Sequence, residues 1–170
     1  LRWFTPEIEM DLCGHATLAT AYCLNSILNY PDKSIKFETK SGDISVDYKD
    51  GKYHMDFPSR VPVKSDLPKL ISKSLNLKPS EIYKSRDFLL IYNSEKEIKK
   101  IKINTRYFNK INLDPGGVVV TAKGTSSDFV SRYFTPQSTI LEDPATGSSH
   151  CSLIPFWSKR LNKTHLTSIQ

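Results

Sequence analysis

The sequence predicts an α/β (α+β) chain made of two similar domains, each placing polar groups at the mouth of one central helix. Three observations predict it. Arg2-Trp3-Phe4-Thr5-Pro6 leads into Asp11-Leu12-Cys13-Gly14-His15-Ala16-Thr17, and at an offset of 130 (132 − 2) Arg132-Tyr133-Phe134-Thr135-Pro136 leads into Glu142-Asp143-Pro144-Ala145-Thr146-Gly147-Ser148. One echo at about a domain's length indicates two pseudo-equivalent domains and not a solenoid. Both copies run into a stretch of small and apolar residues with helical character, and alternating strand-like segments follow the first.

The elements follow in chain order. Leu18, Ala19, Ala21, Tyr22, Ile27 and Leu28 cover most of the circumference of a helix that begins at Gly14 or His15 and ends near Leu28, so this helix is expected to be buried. Ile35/Phe37/Thr39, Ile44/Val46/Tyr48 and Tyr53/Met55/Phe57 alternate with period two, and Asp50-Gly51 is a hairpin signal because a tight primed turn needs positive φ. Pro58, Pro62 and the polar residues between them read as a linker, which divides the chain into residues 1–60 and 61–170.

Past the linker, Leu67, Leu70, Ile71 and Leu75 recur at helical spacing, with Pro68 tolerable only in the first turn. Phe88–Tyr92 reads as a strand. Ser94 with Glu97 is a capping-box pattern opening a helix to about Ile103. Val118–Ala122 is a strand after the Asp114-Pro115-Gly116-Gly117 turn, and Phe129–Phe134 is another. A second buried helix follows Gly147, with Leu153, Ile154, Phe156, Trp157 and Leu161 as its apolar set, and Pro155 is expected to bend it.

The second copy carries far more sequence ahead of its arginine than the first. Equal copies would place about 60 further residues before Leu1 and a few tens after Gln170, so the chain is expected to be a piece of a longer protein.

Composition narrows the class. No run of 18 apolar residues is present, which excludes a membrane-spanning helix in this stretch. Three cysteines without CxxC spacing fit a reducing compartment, with cytoplasm the expected location. The net charge of +6 comes from scattered lysines and one cluster, Lys96–Lys102, that reads as the solvated face of a helix. A nucleic-acid surface calls for aromatics interleaved with the basic residues, and none are there, so no nucleic-acid or membrane partner is expected. His15, His54, His150 and His165 lack metal-ligand spacing with the cysteines, so no metal is implied.

Two motifs carry the chemistry. In Cys13-Gly14-His15-Ala16-Thr17, glycine lets a ligand approach the backbone, the helix N-terminus favours an anion such as a carboxylate, and His15 can relay a proton. The plainer alternative is that Cys13 is a small buried hydrophobe and His15 a capping residue. In Asp143-Pro144-Ala145-Thr146-Gly147-Ser148, the proline and glycine shape a turn, Thr146 or Ser148 can cap the helix, and Asp143 can accept or hold a proton. Here the plainer alternative is an ordinary capped helix. Cys13 falls opposite Asp143 at the constant offset. Cys23 and Cys151 lie inside the two helices, where core packing is the expected role.

RWFTPEIEMDLCGHATLATA and EDPATGSSHCSLIPFWSKRL, with YHMDFP and DFVSRYFTP between them, resemble the phenazine-biosynthesis PhzF-like family, particularly its animal members. The resemblance spans nearly the whole chain. It implies the diaminopimelate-epimerase-like fold, two pseudo-symmetric domains each with a mainly antiparallel sheet wrapped around a central helix, and the active site in the cleft between them. By motif position it implies His15, Asp143 and Ser148 as catalytic residues and Cys13, Gly14, Thr146 and Gly147 as substrate-binding ones. With Asp143 opposite Cys13, a two-cysteine racemase mechanism is not expected.

What the resemblance implies for activity is a cofactor-independent isomerase that moves a proton between carbons of a small carboxylate, as in the family's isomerisation of dihydro-hydroxyanthranilate. Family members take their base from a glutamate upstream of the RWFTP strand. No residue of this chain matches it, and Glu7, Glu9 and Glu142 do not take its place. The resemblance therefore implies an active parent, commonly a homodimer, and an inactive piece. The alternative is a catalytically silent ligand- or protein-binding module on the same fold, with a protein partner.

Overall fold

The computed structural model describes residues 1–5, 9–113, 116–136 and 138–170. Glu7 and the Asp114-Pro115 half of the expected turn lie outside them. Two compact units divide the chain, Leu1–Ser59 and Arg60–Gln170.

In the first unit β1 (Trp3–Phe4) pairs antiparallel with β2 (Glu9–Met10). Helix α1 (Gly14–Tyr22) follows and loosens into a π-type turn over Cys23–Ile27. Three strands, β3 (Ser34–Thr39), β4 (Gly42–Lys49) and β5 (Lys52–Asp56), form an antiparallel meander. Asp50 and Gly51 both take positive φ, 51° and 74°, as a primed hairpin turn demands. The inward residues Ile35, Phe37 and Val46 pack against Ala21 of α1.

Helix α1 departs from its expected burial on most sides. Gly14, Thr17 and Ala21 are buried, whereas Leu18, Tyr22, Ile27 and Leu28 are exposed. The meander reaches one face of the helix, so apolar content around the whole circumference does not translate into burial around it. Cys23 shares that outcome: it is exposed, not packed in a core.

The second unit centres on a seven-stranded sheet. Its elements in chain order are β6 (Val63–Lys64), α2 (Lys69–Ser74), β7 (Glu81–Lys84), β8 (Phe88–Ile91), α3 (Glu95–Lys100), α4 (Thr105–Phe108), β9 (Val118–Lys123), β10 (Phe129–Phe134), β11 (Glu142–Asp143), α5 (His150–Leu161) and β12 (Ser168–Ile169). Strand order is β11-β10-β9-β8-β7-β6, with β12 also on β10. The β8–β9 and β10–β12 pairs are parallel and the others antiparallel.

The central strands are buried on both faces, which explains why they read as near-continuous apolar runs. Phe88, Leu90, Val118, Val120, Val130 and Phe134 face Ile71, Ile98 and Phe108 of α2, α3 and α4. Their neighbours Leu89, Ile91, Val119, Phe129 and Tyr133 face Leu153, Phe156 and Trp157 of α5. Ser94 caps α3 by accepting from the Glu97 amide, while the Glu97 carboxylate accepts from the Asn93 amide. Pro68 is the residue before α2 and so costs it no hydrogen bond.

Helix α5 runs unbroken past Pro155, which cannot donate to the carbonyl four residues back, that of Cys151. That carbonyl is satisfied instead by the Arg60 amide at 2.8 Å. The freed acceptor thus holds the segment that leads into β6 to the helix. The Cys151 thiol beside it is buried, and burial pushes its pKa up.

Candidate active site

The two motifs are set up by the same strand device. Phe4 pairs with Glu9 and Phe134 with Glu142. In each copy the arginine two positions before the phenylalanine grips that glutamate, Arg2 Nε to Glu9 Oε1 at 2.7 Å and Arg132 Nε to Glu142 Oε1 at 2.7 Å. Each guanidinium also lies over its phenylalanine ring, 5.0 Å and 4.9 Å from the centroid.

The turn between the paired strands is longer by three residues in the second copy, because Glu142 lies 133 positions beyond Glu9 (142 − 9) while Phe134 lies 130 beyond Phe4 (134 − 4). From there on the equivalence runs at 133: Met10 with Asp143, Cys13 with Thr146, Gly14 with Gly147, His15 with Ser148. This corrects the constant-offset pairing of Cys13 with Asp143. A uniform offset carries no information about a turn insertion, whereas the ladder register measures it. The counterpart of Cys13 is still not a cysteine.

In the first unit the structure brings Cys13, Gly14 and His15 together at the mouth of α1. Cys13 is the N-cap residue in extended conformation, and its side chain makes no capping hydrogen bond. Its Sγ lies 3.6 Å from His15 Nε2 and 3.8 Å from Nδ1, close enough to restrain the ring. Cys13 is half-buried and His15 exposed, so neither is a sealed core residue. Thr17 Oγ1 donates to the Cys13 carbonyl at 2.7 Å and anchors the first turn.

In the second unit Asp143 ends β11, Gly147–Ser149 form a 3-10 turn, and α5 begins at His150. Asp143 Oδ1 accepts from the Ala145 amide at 3.2 Å, an Asx turn that aims the carboxylate. Neither Thr146 nor Ser148 caps the helix as the sequence suggests. Thr146 Oγ1 instead accepts from Gln170 Nε2 at 3.0 Å, and the Thr146 amide donates to Gln170 Oε1 at 3.1 Å. Gln170 Nε2 also donates to the Asp143 carbonyl at 2.8 Å, so one amide side chain clamps the motif loop.

Ser148 accepts from Arg86 Nη2 at 3.1 Å. This is the part of the site that sequence reasoning missed. Arg86 and Asp87 precede β8 and form an ion pair at 2.9 Å with side chains only 9% and 1% exposed. Asp87 Oδ1 also accepts from the Tyr133 hydroxyl at 2.9 Å and from the Gly117 amide at 2.8 Å. A Cβ at position 117 would sit 2.5 Å from Tyr133 Cζ, which is why glycine is needed there. The available signal was two opposite charges immediately ahead of an unbroken apolar strand, a place where ions are buried only if paired.

The carboxylates nearest the motifs are not equally available. Glu9 is held by Arg2 and Lys40, whose hydrogen bonds drive its pKa down to about 2. Glu142 is bound by the fork of Arg132. Asp143 keeps one carboxylate oxygen without a hydrogen-bond partner among the described residues. Among the described residues no three His, Cys, Asp or Glu side chains cluster as a metal site, and no helix is long and apolar enough to cross a membrane.

A two-unit α/β fold with mainly antiparallel sheets, each unit carrying a glycine-led motif at the mouth of its helix, defines a class of protein, and comparison with known proteins supplies the family. The chain belongs to the phenazine biosynthesis-like protein family, whose model matches residues 1–170. It is 40% identical to an "uncharacterized isomerase" of Pseudomonas aeruginosa over 171 residues, covering 100% of this chain and 65% of that protein. It is 33% identical to mouse phenazine biosynthesis-like domain-containing protein 2 over 188 residues, again covering 100% and 65%. Among solved structures, a PhzF-family protein of Enterococcus faecalis matches with TM-score 0.83 and 42% identity over 98% of this chain and 64% of that one. A phenazine biosynthesis PhzC/PhzF protein of Clostridium difficile matches with TM-score 0.82 and 43% identity over the same shares. The fold is therefore the diaminopimelate-epimerase-like one. The chain spans 65% of the length of these curated relatives.

Proposed function

We propose that the protein containing this chain is a cofactor-independent isomerase that moves a proton between carbons of a small carboxylate by general acid/base catalysis. The observation that carries this reading is the register of the paired strands: it makes His15 and Ser148 counterparts, each following a glycine at the mouth of its helix. Backbone amides at Gly14 and Gly147 and the Ser148 hydroxyl suit a carboxylate, while His15 and Asp143 are groups that can orient or shuttle a proton. Cys13 and Thr146 flank the same two glycines. Relatives carrying the name isomerase support the reading.

A second reading, a ligand- or protein-binding module without turnover, is favoured by the commitment of Glu9 and Glu142 to arginine partners, which leaves Asp143 as the motif carboxylate with an open oxygen. One experiment separates the two. The full-length protein is incubated with dihydro-hydroxyanthranilate in deuterium oxide and the product carbons are examined for deuterium. Incorporation that is lost in H15N and D143N supports the isomerase; absence of incorporation despite measurable binding supports the module.

A further inference from the structure

We infer that Arg86 is the positioning residue of this site: it turns the Ser148 hydroxyl into a dedicated donor toward a substrate carboxylate. The inference rests on the isomerase reading above and deepens it.

A serine hydroxyl has one proton and two lone pairs, so which role it plays depends on its neighbours. Arginine is a permanent donor with no acceptor atoms. With Arg86 Nη2 donating to Ser148 Oγ at 3.1 Å, the hydroxyl is engaged as an acceptor and its own O–H is left to donate elsewhere. No acceptor for that hydrogen exists among the described residues. A cation pulling on the oxygen also polarises the O–H, which strengthens a hydrogen bond to an anion.

The surroundings hold the guanidinium where it can do this. Asp87 takes both Nη2, at 2.9 Å, and Nε, at 3.2 Å, so the fork cannot rotate away. Asp87 is in turn held by the Tyr133 hydroxyl and the Gly117 amide. Ser85, next to Arg86, meets Ser152 of α5 with the two hydroxyl oxygens 2.7 Å apart, tying the Arg86 backbone to the helix that carries the motif. A lysine at 86 could not hold Asp87 in two places and reach Ser148 together.

The test uses the full-length protein, with deuterium exchange into dihydro-hydroxyanthranilate as the kinetic readout and 2-aminobenzoate as the binding probe. R86Q and S148A are each expected to lower kcat/KM by about 10- to 100-fold, the range for one charge-assisted hydrogen bond. The double variant R86Q/S148A is expected to be no worse than the weaker single one, because Arg86 acts through Ser148. R86K, which keeps a buried cation, is expected to fold and to show the same loss and the same non-additivity, so the test survives if R86Q does not fold. Losses that multiply in the double variants, or an R86K that keeps full exchange, would overturn the role of Arg86 and leave the isomerase reading standing. A parent that neither exchanges deuterium nor binds 2-aminobenzoate overturns both.

Discussion

His15 and Ser148 occupy the same place in two copies of one device: each lies five residues beyond the second strand of its pair, after Met10 and Asp143, and directly after a glycine. One copy carries an imidazole and the other a hydroxyl, so a shared scaffold presents a ring with two nitrogens able to exchange donor and acceptor roles in one unit and a fixed hydrogen-bonding group in the other.

That division of labour has kinetic consequences. H15N is expected to lower kcat of the full-length protein by about 10²- to 10⁴-fold, the range for a positioned acid or base, with little change in unfolding temperature because the side chain is exposed. Deuterium-exchange kinetics and thermal unfolding measured side by side would decide it.

The Arg86–Asp87 pair is also a stability element. D87A strands a guanidinium that is almost fully buried, and the expected loss is about 3–5 kcal/mol. G117A forces a Cβ onto the Tyr133 ring and is expected to cost about 1–3 kcal/mol. Urea unfolding of the two variants checks both values, and a G117A as stable as the parent would mean that Tyr133 has another place to go.

Glu9 supplies a pH dependence whose sign can be worked out. Its folded pKa is held at about 2, below the ordinary value of 4.5, by hydrogen bonds from Arg2 and Lys40. A depressed carboxyl contributes stability above its unfolded pKa and loses it as pH falls through the folded one. E9Q is therefore expected to be less stable than the parent at pH 7, with the gap closing between about pH 4.5 and 2. Unfolding curves across that range, at low salt, would show the convergence.

Thiol labelling distinguishes the cysteines. Cys23 is exposed and is expected to react with iodoacetamide first. Cys151 is buried and its pKa is pushed up by that burial, so it remains a thiol and is expected to label only on unfolding. Mass spectrometry of timed digests reads out the order.

Much of the fold was legible in the residues because its signals are local. Period-two alternation at Ile35/Phe37 and Ile44/Val46, the positive-φ pair Asp50-Gly51 and the Ser94/Glu97 cap each act over a few residues, and each appears where the sequence places it. Three short elements had no such signal: β6, β11 and β12, of two residues each, exist because a sheet edge is there to receive them. The exposure of Leu18 and Tyr22 was equally invisible, since apolarity states a preference and only the neighbouring sheet decides whether it is met.

The sequence by itself determined the two motifs and the echo that relates them, because repetition and glycine placement are written in the order of residues. Only the tertiary structure decided which residues correspond and what holds them. The three-residue turn insertion shows in the strand register, and Arg86, 62 positions from Ser148, meets it only because β8 and α5 pack on one another. A hydrogen bond between residues so far apart in the chain depends on a fold that closes the distance, and no local pattern encodes it.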